Sequence, residues 1–141
     1  AHTPDAMENV LKTLREIAPD RELICLFGCG GDRDRTKRPE MGRIAQKMAD
    51  RIVVTSDNSR TEKTSDIMAE IKGGMDISGR AKSLFIEDRR EAIRTAVMLA
   101  SQGATILLAG KGHETYQIIG TEKTHFDEKE IVAEIFNDLA V

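Results

Sequence analysis

The sequence predicts an α/β fold: a single Rossmann-like, doubly wound and mostly parallel sheet with an antiparallel edge strand. Short, continuous apolar runs alternate along the chain with longer segments whose apolar residues recur at helical spacing. Continuous runs of this kind are typical of strands that are buried on both faces of a parallel sheet. Residues 116–126 form a different pattern, a short hairpin around Gly120, and they predict the antiparallel edge.

Four apolar runs are predicted to be the parallel strands. They lie at residues 23–27, 52–55, 84–86 and 105–109. The fourth is the clearest of them, because Gly103 separates it sharply from the preceding helical pattern. The third is the weakest, because it is only a few residues long.

Helices are predicted between these strands from their start and stop signals. A small polar residue caps the first N–H groups, a glutamate three positions later completes a capping box, and glycine or proline ends the pattern. In chain order, the signals are Thr3 with Pro4 at the first helical position and Pro19 at the end; Pro39 at a start; Thr64 at a start and Gly73-Gly74 at the end; Asp88 with Glu91, and Gly103; and Asp127 with Glu130.

Length and charge limit the class of protein. The 141 residues fit one domain, residues 1–141, and the net charge of −3 argues against a nucleic-acid partner, which usually requires a basic stripe. No apolar run approaches the roughly 20 residues that span a bilayer, and no leader pattern is present, so no membrane partner is predicted. Because the first residue is Ala1 rather than methionine, we expect a fragment of a longer chain.

The two cysteines predict neither a metal centre nor a disulfide. Cys25 falls inside the first strand, where it is expected in the core, and Cys29 falls in the loop that follows. A structural zinc site would need a second pair of ligands, which the sequence does not offer at the required spacing. A reducing, cytoplasmic location is therefore expected.

Polar loops follow three of the predicted strands, and the first and third of them contain glycine. They occupy residues 28–34 after the first strand, 56–60 after the second and 110–114 after the fourth. The carboxyl ends of parallel strands meet at one edge of the sheet, where α/β folds bind their ligands. The three loops are therefore predicted to form one site.

The first loop has glycine at three of its first four positions, which allows a close approach of backbone to ligand. It is not a dinucleotide fingerprint, because Arg33 stands where the third glycine is required. No G-x-x-x-x-G-K-[ST] phosphate loop occurs in the sequence either. Two interpretations of the cations in and after this loop remain open: a solvated turn, and a cradle for phosphate or carboxylate. The cations are Arg33, Arg35, Lys37 and Arg38.

The second loop combines both signs of charge with an amide. Arg60 offers a planar fork that suits a carboxylate, Asp57 can hold an ammonium group, and Asn58 adds an amide. An Asx turn is the plainer interpretation of the same residues. In the third loop His113 has no second ligand at metal spacing, so a metal site is not predicted there. The charges of the second loop fit a zwitterionic amino acid.

Four strings in order resemble the C-terminal domain of the Mur ligases. They are Ala-His-Thr-Pro-Asp at 1–5, Phe-Gly-Cys-Gly-Gly-Asp-Arg-Asp at 27–34, Thr-Ser-Asp-Asn-Ser-Arg-Thr-Glu at 55–62, and Ala-Gly-Lys-Gly-His-Glu at 109–114. With Tyr-Gln at 116–117, the resemblance reaches about residue 126 and covers essentially the whole chain. Among these ligases, the strings are most similar to the enzymes that add the third residue of the peptidoglycan stem peptide.

The resemblance implies an ATP-dependent acid–amino-acid ligase. ATP would activate the terminal carboxylate of UDP-MurNAc-L-Ala-D-Glu as an acyl phosphate, which the amino group of a diamino acid then attacks. ATP and Mg²⁺ would be bound mainly by a central domain that this chain lacks, with residues 1–20 near the junction. The present domain would present the amino acid and would be inactive alone.

The resemblance also assigns roles by position. Binding of the diamino acid would fall on Arg33, Asp57, Asn58, Arg60, Gly110 and Glu114, and proximity to the nucleotide on His2 and Asp32. No catalytic residue and no metal ligand are assigned within this chain.

One position departs from the pattern of the diaminopimelate-adding enzymes, which is Asp-Asn-Pro-Arg. Ser59 stands in place of the proline. Because proline would fix φ, serine is expected to loosen the loop, at a cost in stability of about 1 kcal/mol. Arg60 is retained and would pair with the second carboxylate of meso-diaminopimelate, a group that lysine lacks. The expected substrate is therefore meso-diaminopimelate rather than L-lysine.

Three alternatives remain at this point. One is an L-lysine-adding homologue or another Mur or folylpolyglutamate-type ligase domain. The Asp-Asn-x-Arg loop argues against a glutamate-adding enzyme, since glutamate has no distal ammonium group. The second, from another class of protein, is a non-catalytic module that binds a nucleotide or an amino acid. The third is half of a nicotinamide-dependent oxidoreductase, which is disfavoured because the first loop does not match the dinucleotide fingerprint.

Overall fold

A computed structural model describes residues 3–110, 116–119, 122–125 and 128–139, and the side chains of 3–110 and 128–135. The helices are α1 (Pro4–Ile17), α2 (Lys37–Met48), α3 (Thr64–Lys72), α4 (Ile77–Ala81), α5 (Arg89–Leu99) and α6 (Glu128–Leu139). The strands are β1 (Leu23–Phe27), β2 (Arg51–Val54), β3 (Ser83–Phe85), β4 (Thr105–Leu108), β5 (Tyr116–Ile119) and β6 (Glu122–His125). None of these helices has the length and apolar character that crossing a membrane requires.

The predicted parallel sheet is confirmed, with strand order β3-β2-β1-β4 and parallel pairing throughout. The chain moves outward from β1 to β3 and then returns through α5 to the other side of β1. The order therefore reverses between β1 and β4, which makes their carboxyl ends the topological switch point. Sheets of this type bind ligands in the crevice at that point.

Two apolar clusters cover the faces of the sheet, which is the doubly wound arrangement. Alternate residues of β1 point to opposite faces, so Leu23, Cys25 and Phe27 join one cluster and Ile24 and Leu26 join the other. Helices α1, α2 and α3 pack on the first face, and α5 and α6 pack on the second. Every residue of β1 is buried, as its uninterrupted apolar run predicts.

Helix α1 begins as predicted. The Thr3 hydroxyl accepts a hydrogen bond from the Ala6 N–H at 3.2 Å, and Pro4 occupies the first helical position. Asp88 likewise caps α5 and accepts from the Arg90 N–H at 3.1 Å. The Asp127 cap predicted for α6 lies outside the described residues.

Four expectations differ from the structure in detail. Helix α2 begins at Lys37 rather than at Pro39, because a proline is tolerated anywhere in the first turn, where its missing N–H has no acceptor. Lys63 rather than Thr64 is the cap residue of α3. Helix α4 was not predicted, because five residues are too few to show a periodicity, although its cap, Asp76, is a recognisable signal. The boundaries of β2, β3 and β4 shift by one residue.

The predicted antiparallel edge strand is wrong. The hairpin itself is confirmed, since β5 and β6 pair antiparallel, but within the described residues they form a separate two-stranded sheet. The main sheet has β3 and β4 as its edges. A hairpin satisfies its inner hydrogen bonds by itself, so the sequence pattern does not specify whether it also joins a neighbouring strand.

Candidate functional site

The first two predicted loops and Gly110, the described residue of the third, meet at one cleft. Strands β1, β2 and β4 end side by side, with Phe27 opposite Val54 and Leu26 opposite Leu108. The cleft beyond these ends has a volume of about 370 Å³, and Thr3 at the start of α1 also lines it. This volume suits a ligand of the size of an amino acid.

Five of the predicted binding residues line this cleft: Arg33, Asp57, Asn58, Arg60 and Gly110. The predictions for Glu114 and His2 concern residues outside the described ones. Asp32 belongs to the same loop as Arg33 but is not among the residues that line the cleft.

Asp32 instead fastens the first loop to the second. Its carboxylate accepts hydrogen bonds from the Thr61 hydroxyl at 2.6 Å and from the Thr61 N–H at 3.3 Å. Its own N–H donates to Glu62 at 2.8 Å. Asp32 adopts a left-handed conformation, with φ of 55°, which aspartate tolerates better than most residues. These contacts give Asp32 a role in loop geometry within this chain.

Gly31 lies at the closest approach between the two loops. Its N–H donates to the Asn58 carbonyl at 2.8 Å. A Cβ atom at this position would lie 1.7 Å from the Ser59 carbonyl oxygen and 2.5 Å from its carbon. The first loop therefore needs glycine here for backbone contact with the second loop, and not for contact with a ligand.

Replacement of Gly31 by alanine is expected to lower the free energy of unfolding by about 3 kcal/mol, because the Ser59 backbone would have to move. Urea unfolding measures this change. Gly73→Ala is the control, since a Cβ there would lie 3.3 Å from its nearest neighbour, the Glu70 carbonyl oxygen, in a right-handed conformation. Equal stabilities of the two variants would contradict the close approach.

The cluster of cations divides into two groups. Arg33 and Lys37 line the cleft, as the cradle interpretation requires. Arg35 and Arg38 do not: Arg35 forms a two-pronged pair with Glu70, with both distances 3.1 Å. The interpretation of all four as a cradle is therefore wrong for these two. In the sequence the four charges look alike, and only the contacts of Arg35 and Arg38 with residues more distant in the chain distinguish them.

Arg38 is the most buried of these cations, at 1% exposure. Both of its terminal nitrogens donate to Glu62 at 2.8 Å, and one of them also donates to the Gly30 carbonyl at 2.9 Å. Its Nη1 also reaches Glu70 at 3.1 Å. Arg38 therefore ties α2, the first loop and the second loop into one charged network beneath the cleft.

The network lowers the pKa of the Glu62 carboxyl from 4.5 to about 2, chiefly through the hydrogen bonds from Arg38 and then through the Asp32 N–H. A carboxyl whose pKa is lowered by folding stabilises the folded state at pH values above its ordinary pKa. This contribution is lost as the pH falls from 4.5 toward 2. The melting temperature of the protein is expected to exceed that of Glu62→Gln at pH 7, and the difference should shrink across that window. A difference that is constant with pH would contradict the pairing.

Arg60 extends from the second loop toward the first, in a left-handed conformation with φ of 53°. Its Nη1 donates to the carbonyls of Gly31 and Asn58, both at 3.2 Å. In the described part of the chain it forms no ion pair. A cleft-lining guanidinium that has only carbonyl partners can take up the carboxylate of a ligand.

Gly110, Asp57 and Gly28 meet at the base of the cleft, one from each loop. A Cβ atom at Gly110 would lie 3.4 Å from Asp57 Oδ2 and 3.7 Å from the Gly28 carbonyl oxygen. Gly110 has φ of 108°, a conformation that side chains rarely adopt. The convergence of the three strand ends on one site is thereby confirmed for the described residues.

Two features of this site qualify the expectations for individual residues. Burial raises the pKa of the Cys29 thiol to about 12, so this cleft-lining cysteine is a neutral thiol at pH 7 and not a nucleophile. Ser59 is buried, and its hydroxyl has no hydrogen-bond partner among the residues that the structure describes. The serine therefore adds no visible bond at the position where the motif usually has proline.

Arg89 is a site residue that the sequence analysis missed. It is completely buried behind the cleft and donates to the Ser56 and Ala109 carbonyls at 2.9 and 3.0 Å. The sequence shows only an arginine at the start of a helix, and arginines are mostly exposed. No local signal could have identified it, since its partners lie 20 to 39 residues away.

The fold and the cleft together define a Rossmann-like α/β domain with a cleft of about 370 Å³ at the carboxyl ends of its strands. Residues 1–112 match the family described as "Mur ligase, glutamate ligase domain", and the chain belongs to that family. The family expected from the four strings is thus confirmed.

The chain is similar to curated relatives named UDP-N-acetylmuramoyl-L-alanyl-D-glutamate–2,6-diaminopimelate ligase. That of Trichormus variabilis is 57% identical over 92% of this chain, and that of Geobacter metallireducens is 53% identical over 99%. A solved structure of an enzyme with the same name is 44% identical and superposes over the whole chain with a TM-score of 0.93. The chain spans only 26–30% of the length of these relatives and 28% of the solved chain.

Proposed function

We propose that this chain is the C-terminal, amino-acid-presenting domain of an ATP-dependent ligase that adds meso-diaminopimelate to UDP-MurNAc-L-Ala-D-Glu in the bacterial cytoplasm. The observation that carries the proposal is the cleft at the switch point, where Arg33 and Arg60 face the same volume as Asp57. A cleft of about 370 Å³ that is lined by both positive and negative side chains suits a small zwitterion. The names of the similar curated relatives support the same substrate.

In this proposal each charged side chain takes one end of the diamino acid. Arg60 and Arg33 grip its carboxylates through charge-assisted hydrogen bonds. Asp57 and the Gly110 carbonyl take the distal ammonium group, and Glu114 adds a second carboxylate there. Asn58 contributes its amide. The other amino group is thereby held toward the open side of the cleft, where it can attack an acyl phosphate.

The remaining steps belong to parts of the ligase outside this chain. No group of three His, Cys, Asp or Glu side chains in the described ranges could hold a metal ion, and the sequence has no phosphate loop. We therefore assign Mg²⁺, most contacts to ATP and the UDP-sugar to the other domains of the full-length protein. Residues 1–20 would lie near the junction, and Thr3, which lines the cleft, supports this. For His2 we propose proximity to the nucleotide on the resemblance alone. Asp32 would act near the nucleotide by fixing the loop.

The proposal is tested with the full-length ligase that contains this chain. With ATP, Mg²⁺ and UDP-MurNAc-L-Ala-D-Glu, we expect meso-diaminopimelate to yield a tripeptide product by mass spectrometry, with stoichiometric release of phosphate. L-Lysine should be a poor substrate, and residues 1–141 alone should be inactive. Turnover with L-lysine at an equal kcat/KM would favour the lysine-adding alternative. Absence of ligation, with tight binding of an amino acid or a nucleotide by residues 1–141 alone, would favour the non-catalytic module.

A further inference from the structure

Arg89 joins two strands that the sheet itself does not join. Its carbonyl partners, Ser56 and Ala109, follow β2 and β4, and β1 lies between these strands. Neighbouring strands are about 4.8 Å apart, so β2 and β4 lie about twice that distance apart and share no backbone ladder. The segments that follow them come close enough for one guanidinium to donate to both carbonyls.

The two carbonyls belong to the residues that immediately precede Asp57 and Gly110. Any change in the separation of these carbonyls is passed directly to the two neighbouring residues in the cleft. Asp57 Oδ2 lies 3.4 Å from the position that a Cβ of Gly110 would take, so Asp57 and Gly110 are close neighbours.

Glu128 of α6 completes the site of Arg89. Its carboxylate accepts from Arg89 Nε at 3.1 Å and is itself 8% exposed. Nε and both terminal nitrogens of the guanidinium therefore each have a partner, and its charge is balanced within the buried region. This arrangement holds Arg89 in a single orientation.

We propose that Arg89 is a positioning residue that sets the spacing of Asp57 and Gly110, and thereby the affinity for the ammonium end of the diamino acid. The proposal rests on the function proposed above. Arg89 is not among the residues that line the cleft, and it acts through the two carbonyls. A lysine would keep the charge, but its three N–H donors share one nitrogen, so it lacks the span of the fork that reaches both carbonyls and Glu128.

Kinetics of the full-length ligase test this role. Arg89→Lys is expected to raise the KM for meso-diaminopimelate by about 10-fold, the effect of losing one hydrogen bond of about 1.4 kcal/mol, with the KM for ATP within about twofold. Arg90→Lys is the matched control: Arg90 is half exposed, pairs with Glu134 on the surface and should leave both values unchanged. Equal KM values for meso-diaminopimelate in the two variants would overturn the proposal.

A double variant without buried charges controls for an effect of the substitution on folding alone. Arg89→Gln combined with Glu128→Gln removes both buried charges together and so avoids an unpaired one, while still removing the fork. It should raise the KM for meso-diaminopimelate as Arg89→Lys does. Glu128→Gln alone keeps the fork, so it should lower the melting temperature but change this KM by less than about threefold. A rise in KM that follows the loss of melting temperature across all three variants would overturn the proposal.

Hydrogen exchange separates this proposal from the proposed function. In Arg89→Lys, amides around residues 56–58 and 109–110 should exchange at least about 10-fold faster than in Arg90→Lys, whatever the substrate is. If the wild-type ligase did not use meso-diaminopimelate, the proposed function would fail, and this exchange result would still decide whether Arg89 holds the two strand ends. Unchanged exchange would overturn the positioning role.

Discussion

In the ligase proposed above, Arg60→Ala is expected to lower kcat/KM for meso-diaminopimelate by about 100-fold, corresponding to two charge-assisted hydrogen bonds of about 1.4 kcal/mol each. The kcat/KM for L-lysine should fall far less, because lysine has no second carboxylate for Arg60 to hold. Wild-type selectivity between the two diamino acids should therefore largely disappear.

This expectation rests on the partners of Arg60 in the cleft. Its guanidinium has carbonyl partners at 3.2 Å and forms no ion pair within the described residues. Lysine has no second carboxylate, so in the cleft it would leave the charge of Arg60 unpaired, which disfavours the binding of lysine. Steady-state kinetics with both diamino acids provide the measurement.

Arg21→Ala is the control for Arg60→Ala. Arg21 is exposed and precedes β1, at the opposite end of the strand from the cleft. Its removal changes the net charge by the same amount and should leave both kcat/KM values unchanged. If Arg60→Ala retained the wild-type preference for meso-diaminopimelate, Arg60 would not be the residue that distinguishes the two substrates.

Arg38→Ala is expected to lower the free energy of unfolding by about 3 kcal/mol. Arg38 is 1% exposed, and its removal would leave Glu62 and Glu70 facing each other without their shared cation. The Gly30 carbonyl would also lose its donor. Because the network connects the first two loops, the KM for the diamino acid should rise as well.

An exposed ion pair provides the comparison. Arg51 pairs with Glu22 at 2.9 Å and is half exposed, so Arg51→Ala should cost less than about 1 kcal/mol. Chemical denaturation of both variants measures the difference. Equal losses would mean that the Arg38 network adds no more than a surface pair, and the account of how the loops are held would be wrong.

The strands and the architecture could be predicted because they depend on local patterns. The run at 23–27 is apolar without interruption and is buried on both faces of the sheet, which is what the pattern indicates for a central parallel strand. The hairpin was recognisable for the same reason. Its relation to the main sheet was not, because a local pattern carries no information about the neighbour of an outer strand.

The site could be predicted in part, because loops after parallel strands necessarily share an edge of the sheet. Arg33, Asp57 and Arg60 were identified in this way, and they do line one cleft. Arg38 and Arg89 could not be identified as supports, since their partners lie 20 or more residues away in most cases. In the sequence they are ordinary charged residues of helix starts, and only packing gives them their roles.

A structure of the full-length ligase with meso-diaminopimelate bound tests the central claim most directly. The account predicts one carboxylate of the ligand within hydrogen-bond distance of Arg60, and its distal ammonium group beside Asp57 and the Gly110 carbonyl. A ligand bound away from these strand ends, or one whose second carboxylate points to solvent while Arg60 keeps its carbonyl partners, would contradict it.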